Sequence, residues 1–123
     1  MKTINTKNAP AALGPYSQGI NIGNTLYTSG ILGIDPSTNT LKTTIEEQAN
    51  QAFKNIKAII EEANFDMKDV IKTTVFLSDL ANFSKVNEIY EKYFISNPCR
   101  SCVEVKALPK NALIEIEAIC VKL

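Results

Sequence analysis

From Ile45 to Ala63 the apolar side chains Ile45, Ala49, Ala52, Phe53, Ile56, Ile59, Ile60 and Ala63 recur at three- and four-residue steps. That spacing is one stripe along an α-helix, and it must be buried against another layer. Thr44 precedes Glu47 by three residues, the spacing of a capping box, and Asn64 supplies a stop. The flanking segments are strand-like. Lys2–Asn5, Gln18–Ile22 and Leu26–Ser29 read as strands, with Gly23-Asn24 as a hairpin turn and Asp35–Asn39 as a loop. Val70–Leu77 is rich in β-branched residues. A second helix opens at Ser78 or Asp79 and runs to Phe94, with Phe83, Val86, Asn87, Tyr90 and Tyr93 on one face. Cys99–Val105 and Leu113–Val121 complete the chain as strands.

The resulting order, β-β-β-α-β-α-β-β, predicts an α+β fold in which a single mixed β-sheet carries two helices on one face. The 123 residues accommodate one domain, 1–123, and leave no helix to cover the other sheet face. An uncovered face that is not strongly polar predicts self-association, most simply as a closed ring.

Composition excludes several chemistries. The chain has no histidine, which closes Ser-His-Asp and Cys-His catalysis to a single chain and removes the usual zinc ligand. Thirteen basic residues balance thirteen acidic ones, so no electrostatic footprint for nucleic acid exists. No apolar run reaches the length of a membrane span and the first residues lack a signal-peptide core, which places the protein in the cytoplasm. Cys99-Arg100-Ser101-Cys102 spells C-x-x-C, yet in a strand positions three apart point to opposite faces, and the thiols diverge.

Three features remain that ordinary surface or core residues do not require. The first is Arg100, the only arginine, set in an apolar strand and sharing a face with Cys102 and Glu104. It is either an intrasheet partner of Glu104 or a free two-pronged cation. The second is Glu115 with Glu117, on a strand face otherwise made of Leu113, Ile119 and Val121. These carboxylates either pair with lysines or across an interface, or they sit in a partly dry cleft with a pKa suited to proton transfer. The third is Gly14-Pro15-Tyr16-Ser17-Gln18-Gly19 together with Thr28-Ser29-Gly30, read either as loops or as the walls of a small polar pocket. Asn87 is likewise either tied to backbone or aimed into that pocket.

The segments GPYSQGI at 14–20, LYTSG at 26–30, IKTTVFLSDLANFSKVNEIYEKYF at 71–94 and PCRSCVEVKALPKNALIEIEAICV at 98–121 resemble the RidA/YjgF family of reactive-intermediate deaminases. The resemblance spans nearly the whole chain. It implies a chorismate-mutase-like α+β homotrimer with clefts between subunits, needing neither metal nor cofactor. It further implies hydrolysis of enamine and imine acids such as 2-aminoacrylate and 2-iminobutyrate to 2-keto acids and ammonia. PLP-dependent dehydratases release those intermediates. Arg100 matches the residue that binds the substrate carboxylate, and Glu115 the carboxylate that orients water. Tyr16, Ser29, Gly30, Asn87 and the backbone N–H of Cys102 match residues lining the cleft, and Glu117 lies beside it. Ile31, Gly33 and the short segment 95–98 depart from the family pattern and bear on pocket shape. A non-catalytic regulatory protein binding 2-keto acids in the same cleft is the alternative. Ribonuclease activity fits poorly with the charge balance and the missing histidine.

Overall fold

The computed structural model covers residues 1–123. Its strands are β1 (Lys2–Ile4), β2 (Gly19–Ile22), β3 (Thr25–Thr28), β4 (Ile31–Leu32), β5 (Ile34–Asp35), β6 (Thr40–Leu41), β7 (Val70–Leu77), β8 (Cys99–Glu104) and β9 (Ile114–Val121). The helices are α1 (Ile45–Glu62) and α2 (Phe83–Tyr93). The main sheet runs β1-β2-β3-β9-β7-β8, with β4 also paired to β9. Only β7 and β8 are parallel, and α2 makes the crossover between them. No helix is long and apolar enough to cross a membrane.

Helix α1 follows its sequence pattern closely. The Thr44 hydroxyl accepts the Glu47 N–H at 3.1 Å while Glu47 Oε1 accepts the Thr44 N–H at 3.1 Å, closing the capping box. Asn64 takes a positive φ of 63° just past the helix. Phe53 meets Tyr90, Tyr93 and Phe94 edge-on at 5.4 to 5.8 Å, which locks the two helices together. Such aromatic pairs contribute about 0.5–1.5 kcal/mol each beyond their buried area. Beneath the helices, Ile114, Ile116, Ala118 and Cys120 of β9 join Val75 and Leu77 of β7 in one apolar core.

Two expectations are corrected. The chain forms a second, two-stranded ribbon, β5 with β6, beside the main sheet, so the single-sheet reading is incomplete. The missed strands β4, β5 and β6 are each two residues long. That is too short for an alternating pattern to register in sequence. The second helix begins later than Ser78. A 3₁₀ turn, Leu80–Asn82, comes first, with Asp79 Oδ1 accepting the Ala81 N–H at 2.9 Å.

Two polar side chains buried in α1 tie down this irregular region. Asn55 donates to the carbonyls of Leu32 (3.0 Å) and Ile34 (2.8 Å). Gln48 donates to Lys42 O and accepts the Leu113 N–H, both at 2.8 Å. Gly33 lies against the backbone of Gln48 with no room for a Cβ, so this departure from the family pattern is a close strand–helix contact.

The opposite face of the main sheet has no helix over it. Tyr27 (48% exposed), Ile22 (53%) and Val103 (43%) stand on it. Glu115 and Glu117 share that face.

Candidate functional site

Arg100 lies on β8, opposite Thr73 of β7, and Thr73 is fully buried beneath α2. Side chains that share a rung share a face, so Arg100 rises toward α2. There Phe83, Asn87 and Tyr90 recur at helical spacing and meet it. Asn87 Oδ1 accepts a hydrogen bond from Arg100 Nη1 at 2.8 Å. The Arg100 Cζ sits 4.7 Å from the Tyr90 ring centroid and 5.4 Å from that of Phe83. The expected alternative, a pair with Glu104, does not form. Glu104 instead accepts the Leu80 N–H at 2.8 Å. The ion pairs of the chain are Lys42–Asp35 and Lys68–Asp66, so Arg100 has no carboxylate partner. Of the five N–H donors on its guanidinium, one is used.

Cys102 follows two residues along on the same face and is half-buried. Burial pushes its thiol pKa up, against the opposing effect of Arg100. The Val105 N–H donates to Leu77 O at 2.8 Å. Alternation along the strand therefore turns the Cys102 N–H toward the unpaired edge of β8. Cys99, by contrast, is exposed on the other face, as the strand reading of C-x-x-C required. Cys120 is buried, with its pKa pushed up to about 12, chiefly by burial.

Glu115, the second residue of β9, lies between Leu32 of β4 and Phe76 of β7. Phe76 and Thr73 are three apart on one strand and so face opposite ways. Glu115 therefore lies on the side of the sheet away from Arg100. Its side chain covers Gly30, where a Cβ would fall 2.6 Å from Oε1. Burial raises its pKa above the ordinary carboxylate value, and the charge of Glu117 raises it further. No group of three Cys, Asp or Glu side chains converges closely enough to ligate a metal ion.

Gly30 lies against Glu115, and Tyr16 and Ser29 line the pockets beside Gly30. Thr28–Gly30 interrupts the ladder between β3 and β4, and Thr28 Oγ1 accepts the Ala118 N–H at 3.0 Å in place of a carbonyl. The Ser29 hydroxyl donates to Ser17 O at 2.5 Å, and the Ser29 N–H to Gln18 O at 2.9 Å. Tyr16 is 47% exposed, with its phenol oxygen accepting the Leu13 N–H at 3.0 Å. Tyr16 and Gly30 line one pocket with Pro10, Leu13 and Ile31, while Tyr16 and Ser29 line a second with Ile20 and Tyr27.

The structure thus sorts the seven candidate residues into two groups. Arg100, Asn87 and Cys102 form a cationic corner on the helix side. Glu115 and Gly30 meet in an acidic corner on the open side, with Tyr16 and Ser29 on the pockets beside Gly30. Sequence reasoning missed two contributors. Phe83 and Tyr90 were placed only on one face of the second helix, and their contact with Arg100 needs the β7–β8 register. Gln18, within the candidate pocket segment, bonds Thr6, Ala9 and Pro10 through one buried amide and so shapes the Tyr16 loop.

Residues 6–122 match the profile of the family described as endoribonuclease L-PSP. The 2-iminobutanoate/2-iminopropanoate deaminase of Salmonella typhimurium is 49% identical, covering 98% of this chain and 98% of its own. The structure of RidA from Psychrobacter superimposes with a TM-score of 0.97 at 46% identity, covering 99% of this chain and 100% of that one. Escherichia coli TdcF with bound serine gives a TM-score of 0.97 at 41% identity, covering both chains completely.

Proposed function

Because the chain belongs to the endoribonuclease L-PSP family, the family of YjgF and RidA, we propose that it hydrolyses small 2-imino acids to 2-keto acids and ammonia. The observation that carries the reading is the state of Arg100. A lone guanidinium, half-buried on aromatic faces and bonded to a neutral amide, keeps its donors available for a carboxylate from outside the chain. A relative that holds serine, itself a small carboxylate, supports the same ligand class.

Arg100 fixes the substrate carboxylate and the free Cys102 N–H adds a second donor. Water then adds across the C=N bond, its oxygen to carbon and its proton, through Glu115, to nitrogen. As the C–N bond breaks, Glu115 carries the remaining hydroxyl proton to the same nitrogen, leaving a carbonyl and ammonia. A carboxylate with a raised pKa suits both transfers. An enamine such as 2-aminoacrylate enters after tautomerising to its imine. Since the two corners lie on opposite faces, one chain does not complete the site. A neighbouring copy that seats its Arg100 corner on this chain's open face brings its Arg100 to this chain's Glu115, and a closed homotrimer satisfies all three sites at once. PLP-dependent dehydratases, which release 2-imino acids in the cytoplasm, would supply the substrate.

The test couples the purified protein to a threonine dehydratase and follows 2-ketobutyrate release. Acceleration by the intact protein and its loss in Arg100→Ala are expected. Release at the uncatalysed rate with intact protein overturns the reading, and pyruvate binding that depends on Arg100 without turnover would assign a regulatory role instead.

A further inference from the structure

We infer that Tyr90 is a positioning residue that holds the plane of the Arg100 guanidinium, and through it the orientation of the bound carboxylate. The inference rests on reading Arg100 as the carboxylate-binding group. Three observations converge on it. The guanidinium carbon lies 4.7 Å from the Tyr90 ring centroid, within the range where a cation is held over an aromatic face. The ring itself is immobilised. Its hydroxyl shares a 2.6 Å hydrogen bond with Thr73 Oγ1, its face stacks on Phe94 at 4.3 Å and 24°, and Phe53 meets it edge-on at 5.8 Å. Finally, Thr73 is the residue directly across from Arg100 in the β7–β8 ladder. The rung that sets the backbone of Arg100 therefore also sets the phenol beneath its side chain.

This arrangement answers a specific problem. A long arginine side chain on an edge strand has several rotamers of similar energy and would present its two-pronged edge in many directions. Tyr90 restricts one face, Phe83 closes in at 5.4 Å, and Asn87 accepts one edge N–H. The donors that remain free are held in one plane before the ligand arrives. A lysine cannot use such a platform in this way, because it has no plane to align. Tyr90 touches no reacting atom, and its phenol stays neutral because burial raises its pKa.

Arg100 is the only arginine in the chain, so arginine labelled with ¹⁵N in its guanidinium gives one Nε–H signal that needs no assignment. The test compares wild type, Tyr90→Phe, Tyr90→Leu and Phe83→Leu by that signal, by pyruvate titration and by steady-state kinetics. In Tyr90→Leu the ring-current shift of the Nε–H signal is lost. Its pyruvate dissociation constant and its KM each rise about tenfold, the scale of losing a desolvated cation–π contact. Tyr90→Phe keeps the ring, so it keeps the shifted signal and loses less affinity than Tyr90→Leu. Phe83→Leu, at a residue 38% exposed, falls between them and remains informative if Tyr90→Leu does not fold. A folded Tyr90→Leu with the wild-type signal and affinity overturns the inference. So does a Tyr90→Phe protein as impaired as Tyr90→Leu. If the intact protein lacks deaminase turnover, the functional reading fails while the Nε–H signal and the pyruvate titration still decide the role of Tyr90.

Discussion

Gly30 lies directly beneath the side chain of Glu115, so closely that a methyl group there would stand 2.6 Å from Oε1, 2.7 Å from Cδ and 3.1 Å from Cγ. The glycine is required by the neighbour and not by a left-handed backbone, since its φ is not in that region. Gly30→Ala therefore has one way to be accommodated, which is to swing the carboxylate aside. The displaced atoms belong to the far end of a flexible chain, so the fold tolerates the change. A midpoint of denaturation close to wild type, with turnover reduced at least tenfold, is the expected pair of results. Full activity would separate the position of Glu115 from the chemistry.

Glu115 has a pKa raised first by burial and then by Glu117. An acid whose pKa is higher folded than unfolded binds more protons in the native state. Stability then falls as pH rises from the unfolded to the folded value. Glu115→Gln removes that cost, so it is expected to be more stable than wild type at neutral pH, with the difference vanishing in acid below the unfolded pKa. Thermal melts across pH check this. On the proposed mechanism Glu115 is the base, and the rate is expected to rise with pH through its folded pKa. Glu117→Gln removes the like charge and is expected to move that acid limb to lower pH, and a shift the other way would contradict the electrostatic assignment.

Arg100 and Glu115 on opposite faces make a prediction about mixed assemblies. Arg100→Ala and Glu115→Gln proteins are each expected to be inactive alone. Unfolded together in equal amounts and refolded, they regenerate sites that draw Arg100 from one copy and Glu115 from another, about a quarter of all sites by random pairing around a ring. Activity approaching that fraction supports a shared site. No recovery in a properly assembled mixture would require both groups to act within one chain.

Asn55 is fully buried and bonds the carbonyls of Leu32 and Ile34 with one amide. Asn55→Ala leaves both acceptors without a donor away from water. A loss of roughly 2–3 kcal/mol in urea unfolding is expected, the scale of buried polar groups left unsatisfied. A loss below about 0.5 kcal/mol would mean that the β4–β5 segment finds other partners.

Helix α1, its capping box and strand β9 were legible because each rests on local rules. Three- and four-residue steps mark a helix, a hydroxyl three residues before a carboxylate marks its start, and strict alternation marks a half-buried strand. Arg100 stood out because it is alone. Strands β4 to β6 were not legible, because two residues cannot display a period, and their pairing depends on Asn55 and Gln48 reaching across from α1. Tyr90 and Phe83 were placed on one face of the second helix, but their contact with Arg100 was not legible because a sequence does not reveal which strand lies beneath a helix.

The amino-acid order alone determined the two helices and the longer strands, the apolar face of each and the short set of polar residues left over. Only the tertiary structure decided that Arg100 and Glu115 face opposite ways. Each was placed correctly on its own strand. Their relation, however, passes through β7, which pairs in parallel with β8 and antiparallel with β9. Side chains alternate every residue, so a slip of one in either ladder would have put the two groups on the same side. That parity is set by long-range hydrogen bonding between strands far apart in the chain, and no local pattern encodes it.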